Sequence, residues 1–158
     1  PSVASSPREI AEGRWQQVID DADARAREKD IRRLVLCSGK VAIDLLTSER
    51  RKDANAVAIC RVEQLYPLPV NDIRQVIESY PSLEQVVWVQ EEPENYGAFE
   101  FVRPHLQSIV AGRFNFSYIA RPRSSSPAEG SAARHAQNQA VLIAAAFKVT
   151  DRKTSHAR

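Results

Sequence analysis

Three short apolar runs dominate the sequence, and each ends in polar or charged residues before a segment of helical periodicity. They lie at 34–37, 57–60 and 86–89. Continuous apolar runs of this kind are typical of strands that are buried on both faces of a sheet. Buried strands that alternate with helices predict an α/β fold with a parallel sheet, which binds its ligands beyond the carboxyl ends of its strands.

The alternation of strands and helices continues along most of the chain. Apolar runs, helical spacing and turn residues predict strands at 33–37, 56–62, 84–90 and 114–120, and helices at 40–52, 70–80, 97–110 and 131–148. We therefore expect a mostly parallel sheet of four or five strands with helices on both faces. The segment 121–127 is rich in Pro and Ser, so it is predicted to be irregular.

The first thirty residues are charged and rich in alanine. They include Ser6-Pro7 followed by Glu9, which has the pattern of a helix N-terminus. Apolar positions at Trp15 and Val18 give the predicted helix a thin stripe that must rest on the core or on a second copy. The predicted domain organisation is a helical arm or linker at 1–30, an α/β domain at 31–148 and a disordered tail at 149–158.

Composition limits the classes of partner. The 158 residues suffice for one domain with a full hydrophobic core. A formal net charge of +2 gives no general case for a nucleic-acid or membrane partner, so any basic site has to be local. No stretch approaches the ~20 apolar residues of a membrane span. Cys37 and Cys60 lie inside predicted strands, where we expect buried thiols rather than a disulfide or a metal pair.

Two basic residues follow the first two predicted strands. Lys40 ends the turn Ser38-Gly39-Lys40, where a strand gives way to a helix. The free backbone amides of such a turn, with a lysine beside them, suit a phosphate or a carboxylate, although an ordinary turn explains the same residues. Arg61 either contacts a ligand or pairs with Glu63 at the strand edge. The sequence does not distinguish between these two roles of Arg61.

The last two predicted strands also end in polar residues. Gln90 is followed by Glu91 and Glu92, but adjacent residues on an extended chain point to opposite faces, which argues against a catalytic pair of carboxylates. Arg121 and Arg123 are two residues apart and lie on the same side of an extended segment. They can therefore grip an anion together, or they can form a solvated pair of charges.

The convergence of these residues predicts an anionic ligand. Lys40, Arg61 and Arg121 all follow or end strands of one parallel sheet, so they meet along its carboxyl edge. His105 and His135 have no partners at the spacing of metal ligands, and no arrangement of nucleophile and base is evident. We expect neither a metal site nor a catalytic residue in this chain.

Four motifs match, in order, a family of known enzymes. They are LCSGKV at 36–41, VAICRVEQLYP at 57–67, WVQEEP at 88–93 with Asn95 and Gly97, and Arg121-Pro122 with SPA at 126–128 and Gly130. Over roughly residues 1–148 the chain resembles the C-terminal domain of the thiamine-diphosphate-dependent 2-oxoglutarate dehydrogenases, in their first, decarboxylating component.

The resemblance implies a transketolase-type C-terminal domain of an oxidoreductase of the tricarboxylic acid cycle. In that family the domain helps to pack a homodimer, and the thiamine diphosphate, its magnesium ion and the proton-transferring histidines belong to preceding domains. The chain by itself is therefore expected to be inactive. The whole enzyme would decarboxylate 2-oxoglutarate and pass the succinyl group to a lipoyl succinyltransferase component.

The resemblance also implies an allosteric site for a nucleotide such as AMP or for acetyl-CoA. The residues expected to bind this effector are Ser38, Lys40, Arg61, Gln90 and Arg121. The family usually has two tyrosines where this chain has Ala42 and Ile43, Gln in place of Tyr96 and Gly in place of Ala120. These departures flank the predicted site, so they bear on which effector binds.

Two other functions remain open from the sequence. The first is a free-standing module that binds a nucleotide or CoA without the enzyme. The second is a purely structural dimerisation domain, in which the charges at the strand ends pair among themselves. The expected location is the bacterial cytoplasm, with the mitochondrial matrix as the alternative.

Overall fold

The computed structural model of the protein describes residues 6–149. Its helices are α1 (Pro7–Glu12), α2 (Ala22–Arg25), α3 (Lys40–Leu46), α4 (Val70–Glu78), α5 (Phe99–Val110) and α6 (Ala132–Ala146), with 3₁₀ helices at Glu28–Asp30 and Glu49–Asp53. Its strands are β1 (Val18–Ile19), β2 (Arg33–Cys37), β3 (Val57–Val62), β4 (Gln85–Pro93) and β5 (Asn115–Arg121). The tail predicted at 149–158 lies, apart from its first residue, outside the described residues.

The five strands form one sheet in the order β1-β3-β2-β4-β5. The pairs β2–β3, β2–β4 and β4–β5 are parallel, and the short edge strand β1 runs antiparallel to β3. In the register of the sheet, Cys37 at the end of β2 lies opposite both Arg61 and Val89. The prediction of a mostly parallel sheet of four or five strands is confirmed.

Each face of the sheet has its own hydrophobic core, because successive side chains of a strand point to opposite faces. Leu34 and Leu36 of β2 belong to one core, which α2, α4 and α5 cover. Val35 and Cys37 belong to the other core, which α3 and α6 cover. Helices therefore lie on both faces of the sheet, as the sequence predicts.

The two cysteines are buried and lie in different cores. Burial raises the pKa of the Cys37 thiol to about 12 and raises the pKa of Cys60 well above its ordinary value. Both side chains are therefore protonated at neutral pH and are free thiols. Their burial confirms the expectation from the sequence.

The N-terminal segment is helical over a shorter stretch than the sequence predicts. Helix α1 spans six residues, and β1 then pairs with the outer edge of β3. The carbonyl of Gln17 accepts hydrogen bonds from the backbone amides of Glu63 and Gln64. The edge of β3 needs such partners, and this need overrides the weak helical periodicity of the segment. Trp15 remains 68% exposed.

Two adjacent acidic residues tie this segment to the rest of the fold. Asp21 accepts hydrogen bonds from both terminal nitrogens of Arg51, at 3.0 and 2.8 Å, and from the backbone amide of Ile59, at 3.0 Å. Asp20 accepts a hydrogen bond from the hydroxyl of Tyr80, at 2.8 Å. These contacts favour a domain that begins before β1. The boundary at residue 31 stays a prediction.

Within residues 6–149, no helix has the length and apolar character needed to cross a bilayer.

Candidate anion-binding edge

The sheet brings the five predicted site residues to one side of the fold, which we call the carboxyl edge. Ser38 and Lys40 come directly after β2, and Arg61 lies opposite the last residue of that strand. Gln90 follows the residue of β4 that pairs with the same position, and Arg121 is the last residue of β5. The parallel register therefore produces the convergence that the sequence predicts.

Lys40 is the first residue of α3 and is paired within that helix. Its Nζ lies 2.5 Å from Oδ2 of Asp44, and this hydrogen bond raises the pKa of the lysine. The preceding Gly39 has φ of 74°, a conformation that favours glycine, and a Cβ there would meet no atom within 4 Å. Glycine is therefore needed at this turn for its backbone and not for space.

Asp44 is also part of a bridge between elements. Nε2 of Gln139, on α6, donates to Oδ2 of Asp44 at 2.8 Å and lies 3.4 Å from Oε2 of Glu91. The bridge links α3, α6 and the end of β4 on one face of the sheet. Lys40 is thus held beside two carboxylates, of which Asp44 is the nearer one.

Arg61 pairs with Glu63, the residue that directly follows β3. Its Nη1 lies 3.6 Å from Oε1 of Glu63, and about a quarter of each side chain is exposed. This is the internal pairing that the sequence left open as the alternative to a ligand contact. Ser38 follows Cys37, which lies opposite Arg61 in the sheet, and is partly buried.

Arg121 is largely enclosed by its own chain. Its Nε donates to the carbonyl of Glu91 at 2.5 Å, and its Nη2 donates to the carbonyl of Pro127 at 2.6 Å. Its Nη1 lies 3.6 Å from Oε1 of Glu129, and only 12% of each of these two side chains is exposed. The segment that contributes Pro127 and Glu129 connects β5 to α6, and we call it the 122–131 loop.

The 122–131 loop is fastened to the loop that follows β4. Asn95 donates to the carbonyl of Ser124 at 2.9 Å and accepts from the amide of the same residue at 3.0 Å. The hydroxyl of Tyr96 donates to the carbonyl of Ser125 at 3.0 Å. Tyr96, one of the departures from the resembled family, therefore helps to hold this loop in place.

A pocket of about 350 Å³ lies between the 122–131 loop and the start of α6. Arg121, Arg123 and Arg134 supply three positive charges to its lining, and Glu129 supplies a negative one. Arg134 and Asn138 were not among the residues predicted from the sequence. No sequence signal identifies them, because they reach the pocket through the packing of α6 against the sheet. A larger groove of about 660 Å³, beside Trp15, shares no lining residue with this site.

Gln90 serves the fold in a way that the sequence did not reveal. Its Oε1 accepts from Nε1 of Trp88 at 3.1 Å and from the amide of Phe99 at 2.9 Å. Its Nε2 donates to the carbonyls of Pro93 and Tyr96 at 3.1 and 2.8 Å. Four hydrogen bonds occupy the buried amide group, so a contact between Gln90 and an effector would require some of them to break.

Several cations of this edge have carboxylate partners within the chain. Four cations are each paired with a carboxylate: Lys40 with Asp44, Arg61 with Glu63, Arg121 with Glu129 and Arg123 with Glu94. An anion that binds here has to compete with these carboxylates.

The described residues do not fit a magnesium ion. Among residues 6–149, no three His, Cys, Asp or Glu side chains are grouped so that they can hold a metal ion. The carboxylates of the edge lie against Lys and Arg side chains, whose positive charge opposes the binding of a divalent cation.

A comparison with known protein families decides which family this fold and edge represent. A family model described as 2-oxoglutarate dehydrogenase C-terminal matches residues 4–147. The chain belongs to this family. The family match confirms the resemblance that the four sequence motifs indicate, and it covers both the sheet and the candidate anion-binding edge.

Bacterial proteins named 2-oxoglutarate dehydrogenase E1 component are similar to this member of the 2-oxoglutarate dehydrogenase C-terminal family. The protein from Exiguobacterium sp. is 40% identical over 144 residues, which cover 89% of this chain and 15% of that protein. Those from Bacillus velezensis and Cupriavidus necator are each 37% identical, over 90% and 88% of this chain. The chain spans about 15% of the length of the first two relatives and 14% of the third.

Proposed function

We propose that this chain is the C-terminal part of a 2-oxoglutarate dehydrogenase E1 component, an oxidoreductase that uses thiamine diphosphate and transfers a succinyl group. The observation that carries the proposal is the family match over residues 4–147, together with relatives of which the chain spans about 15%. The preceding domains of the same enzyme would then supply the thiamine diphosphate, the magnesium ion and the reacting groups. The bacterial relatives favour the bacterial cytoplasm over the mitochondrial matrix.

The proposed role of the chain within that enzyme is assembly and regulation. The partners would be the preceding domains, a second E1 chain and the lipoyl succinyltransferase component. The exposed Ile10 and Trp15, 74% and 68% accessible, support a contact that is missing from the isolated chain. A purely structural role is the second candidate, and the internal pairing of the edge charges favours it.

The isolated chain is expected to have no decarboxylase activity, because its described residues offer no group that could hold a magnesium ion. The measurement is the release of carbon dioxide from 2-oxoglutarate by the purified 158-residue chain, with thiamine diphosphate and magnesium added. A full-length E1 component assayed in parallel is the positive control. Turnover by the isolated chain would contradict the proposal that the preceding domains supply the reacting groups.

The regulatory part of the proposal predicts that the edge binds AMP or acetyl-CoA through Lys40 and Arg121. Hydrogen bonds to charged groups contribute about 1.5–3 kcal/mol, so Lys40→Ala and Arg121→Ala should each weaken binding roughly tenfold to a hundredfold. Lys40 is 61% exposed, and its loss should leave the melting temperature unchanged. Arg121 holds two backbone carbonyls, so its loss should also lower the melting temperature.

Calorimetric titration of the wild type and both variants with each compound tests this prediction. Lys52→Ala is the matched control, since Lys52 is an exposed lysine that is likewise paired with a nearby carboxylate, Glu49, but lies before β3. Its binding should equal that of the wild type. The effector role fails if the wild type binds neither compound, or if both edge variants bind as tightly as the control.

A further inference from the structure

We infer that Glu129 is a built-in competitor for Arg121, so that an anionic effector binds this edge by displacing the Glu129 carboxylate and opening the 122–131 loop. The inference rests on the proposed effector function and names the residue that limits the affinity of the site. It assigns a role to a side chain that the sequence did not single out.

The position of the Glu129 carboxylate is the first observation. Its Oε1 lies 3.6 Å from Nη1 of Arg121, and Nδ2 of Asn138 donates a hydrogen bond to the same oxygen. This carboxylate therefore occupies the side of the guanidinium that an external phosphate or carboxylate would use. Arg121 forms its strongest contacts to anions through such a planar approach to its terminal nitrogens.

The second observation is that the carboxylate is incompletely satisfied. Its Oε2 is buried, accepts no hydrogen bond within residues 6–149 and lies 3.6 Å from Nδ1 of His135. A buried charged oxygen without a hydrogen bond is unfavourable relative to the same group in water. Moving Glu129 into solvent therefore recovers hydration, which offsets part of the lost attraction to Arg121.

The third observation is that one loop holds two of the three groups that enclose Arg121. Glu129 and the carbonyl of Pro127 both belong to the 122–131 loop, whereas the carbonyl of Glu91 belongs to β4. One movement of the loop therefore frees both Nη1 and Nη2, and the remaining bond from Nε keeps the guanidinium in place. Asn95 and Tyr96 oppose this movement through their hydrogen bonds to the loop.

The pocket beside the loop supplies the space that a displaced carboxylate would leave to a ligand. Its volume of about 350 Å³ lies within the range of small-molecule sites, roughly 300–1,000 Å³. Arg121, Arg123 and Arg134 all line it, so displacement of Glu129 removes the carboxylate that is paired with one of the three cations. The chemistry suits a phosphate group.

The experiment measures the affinity of the 158-residue chain for AMP and for acetyl-CoA by calorimetric titration. Glu129→Gln keeps the shape of the side chain and removes its charge. Because the Glu129 carboxylate holds the 122–131 loop closed over Arg121, this variant should bind the compounds about tenfold more tightly than the wild type. Adding Arg121→Ala to Glu129→Gln should abolish the gain, because the gain depends on the freed guanidinium.

Two further variants make the outcome independent of one substitution. Glu49→Gln carries the same change in charge at an exposed position before β3, and its affinity should match that of the wild type. Tyr96→Phe removes one bond that fastens the loop while Glu129 stays intact, so it should bind about twofold to threefold more tightly than the wild type. If Glu129→Gln does not fold, the affinity of the Tyr96 variant shows whether loosening the 122–131 loop strengthens binding.

Each remaining outcome overturns the inference in a distinct way. If the wild type binds and Glu129→Gln binds equally well, the effector site stands and Glu129 is not its competitor. If the gain persists without Arg121, the competition does not act through that guanidinium. If neither the wild type nor Glu129→Gln binds either compound, both the inference and the regulatory part of the proposed function fail.

Discussion

Asp21→Ala is expected to lower the free energy of unfolding by about 3–5 kcal/mol, the usual cost of removing one partner of a buried ion pair. Only 1% of the Asp21 side chain is exposed, and it holds both terminal nitrogens of Arg51 and the amide of Ile59. Its loss leaves the Arg51 guanidinium with only the exposed carboxylate of Asp23, and it leaves the amides of Ile59 and Ala24 without their acceptor. The melting temperature should fall by roughly 10 °C in a chain of this size.

Chemical denaturation of the wild type and the variant measures the difference in stability. Asp23→Ala is the matched control, because Asp23 also lies 3.2 Å from Arg51 but its side chain is 78% exposed. An exposed ion pair contributes at most about 1 kcal/mol, so the control should unfold close to the wild type. Equal stability of the two variants would show that Asp21 does not anchor the segment.

The same ion pair predicts how stability depends on pH. Burial by itself would raise the pKa of Asp21, but hydrogen bonds from Arg51, Ile59 and Ala24 outweigh burial and lower it below its usual 3.8. A group whose pKa is lowered in the folded state stabilises the fold above its unfolded pKa, and this contribution is lost as the pH falls through the folded pKa. The difference in the free energy of unfolding between the wild type and Asp21→Ala should therefore become smaller below about pH 4.

Gln90→Leu is expected to lower the free energy of unfolding by about 3 kcal/mol even without a ligand. The leucine has a similar size, but it leaves the ring nitrogen of Trp88 and the first amide of α5, that of Phe99, without their acceptor. It also removes the side-chain donor to the carbonyls of Pro93 and Tyr96, of which only that of Pro93 still accepts a hydrogen bond from a backbone amide, that of Tyr96. A buried polar group that loses its partner costs about 1–3 kcal/mol, and relaxation of the loop recovers part of the sum.

The measurement is again denaturation, with Gln75→Leu as the control. Gln75 is an exposed residue of α4, and the same substitution there should change stability by about 0.5 kcal/mol or less. A Gln90 variant as stable as this control would mean that the side chain does not anchor the loop. Its predicted role as an effector contact would then regain support.

The strands, the fold class and the carboxyl edge were predictable from local patterns. The apolar runs at 34–37, 57–60 and 86–89 became the buried parts of β2, β3 and β4, because a strand covered on both faces can only be built from consecutive apolar residues. Parallel pairing then brings the carboxyl ends of those strands together. The convergence of Lys40, Arg61 and Arg121 follows from this rule and needs no further information.

The pairing of residues 18–19 with β3 could not be predicted in the same way. Its two residues have no strand pattern of their own, and they pair because β3 presents unpaired backbone groups on its outer edge. The hydrogen-bond and ion-pair partners of the charged residues could not be predicted from the sequence either. Arg121 binds a carbonyl that lies 30 residues away in the sequence, and Asp21 binds Arg51 across the same separation.

There is one physical reason why the sequence predicts the secondary structure but not the contacts between distant residues. Periodicity records which side of each segment avoids water, so the sequence specified the strands, the helices that cover them and the edge where their polar ends meet. It carries no comparable record of which donor meets which acceptor across the fold. The packing of α6 and the 122–131 loop settled those pairings, because hydrogen bonds and ion pairs depend on distances that only the assembled chain defines.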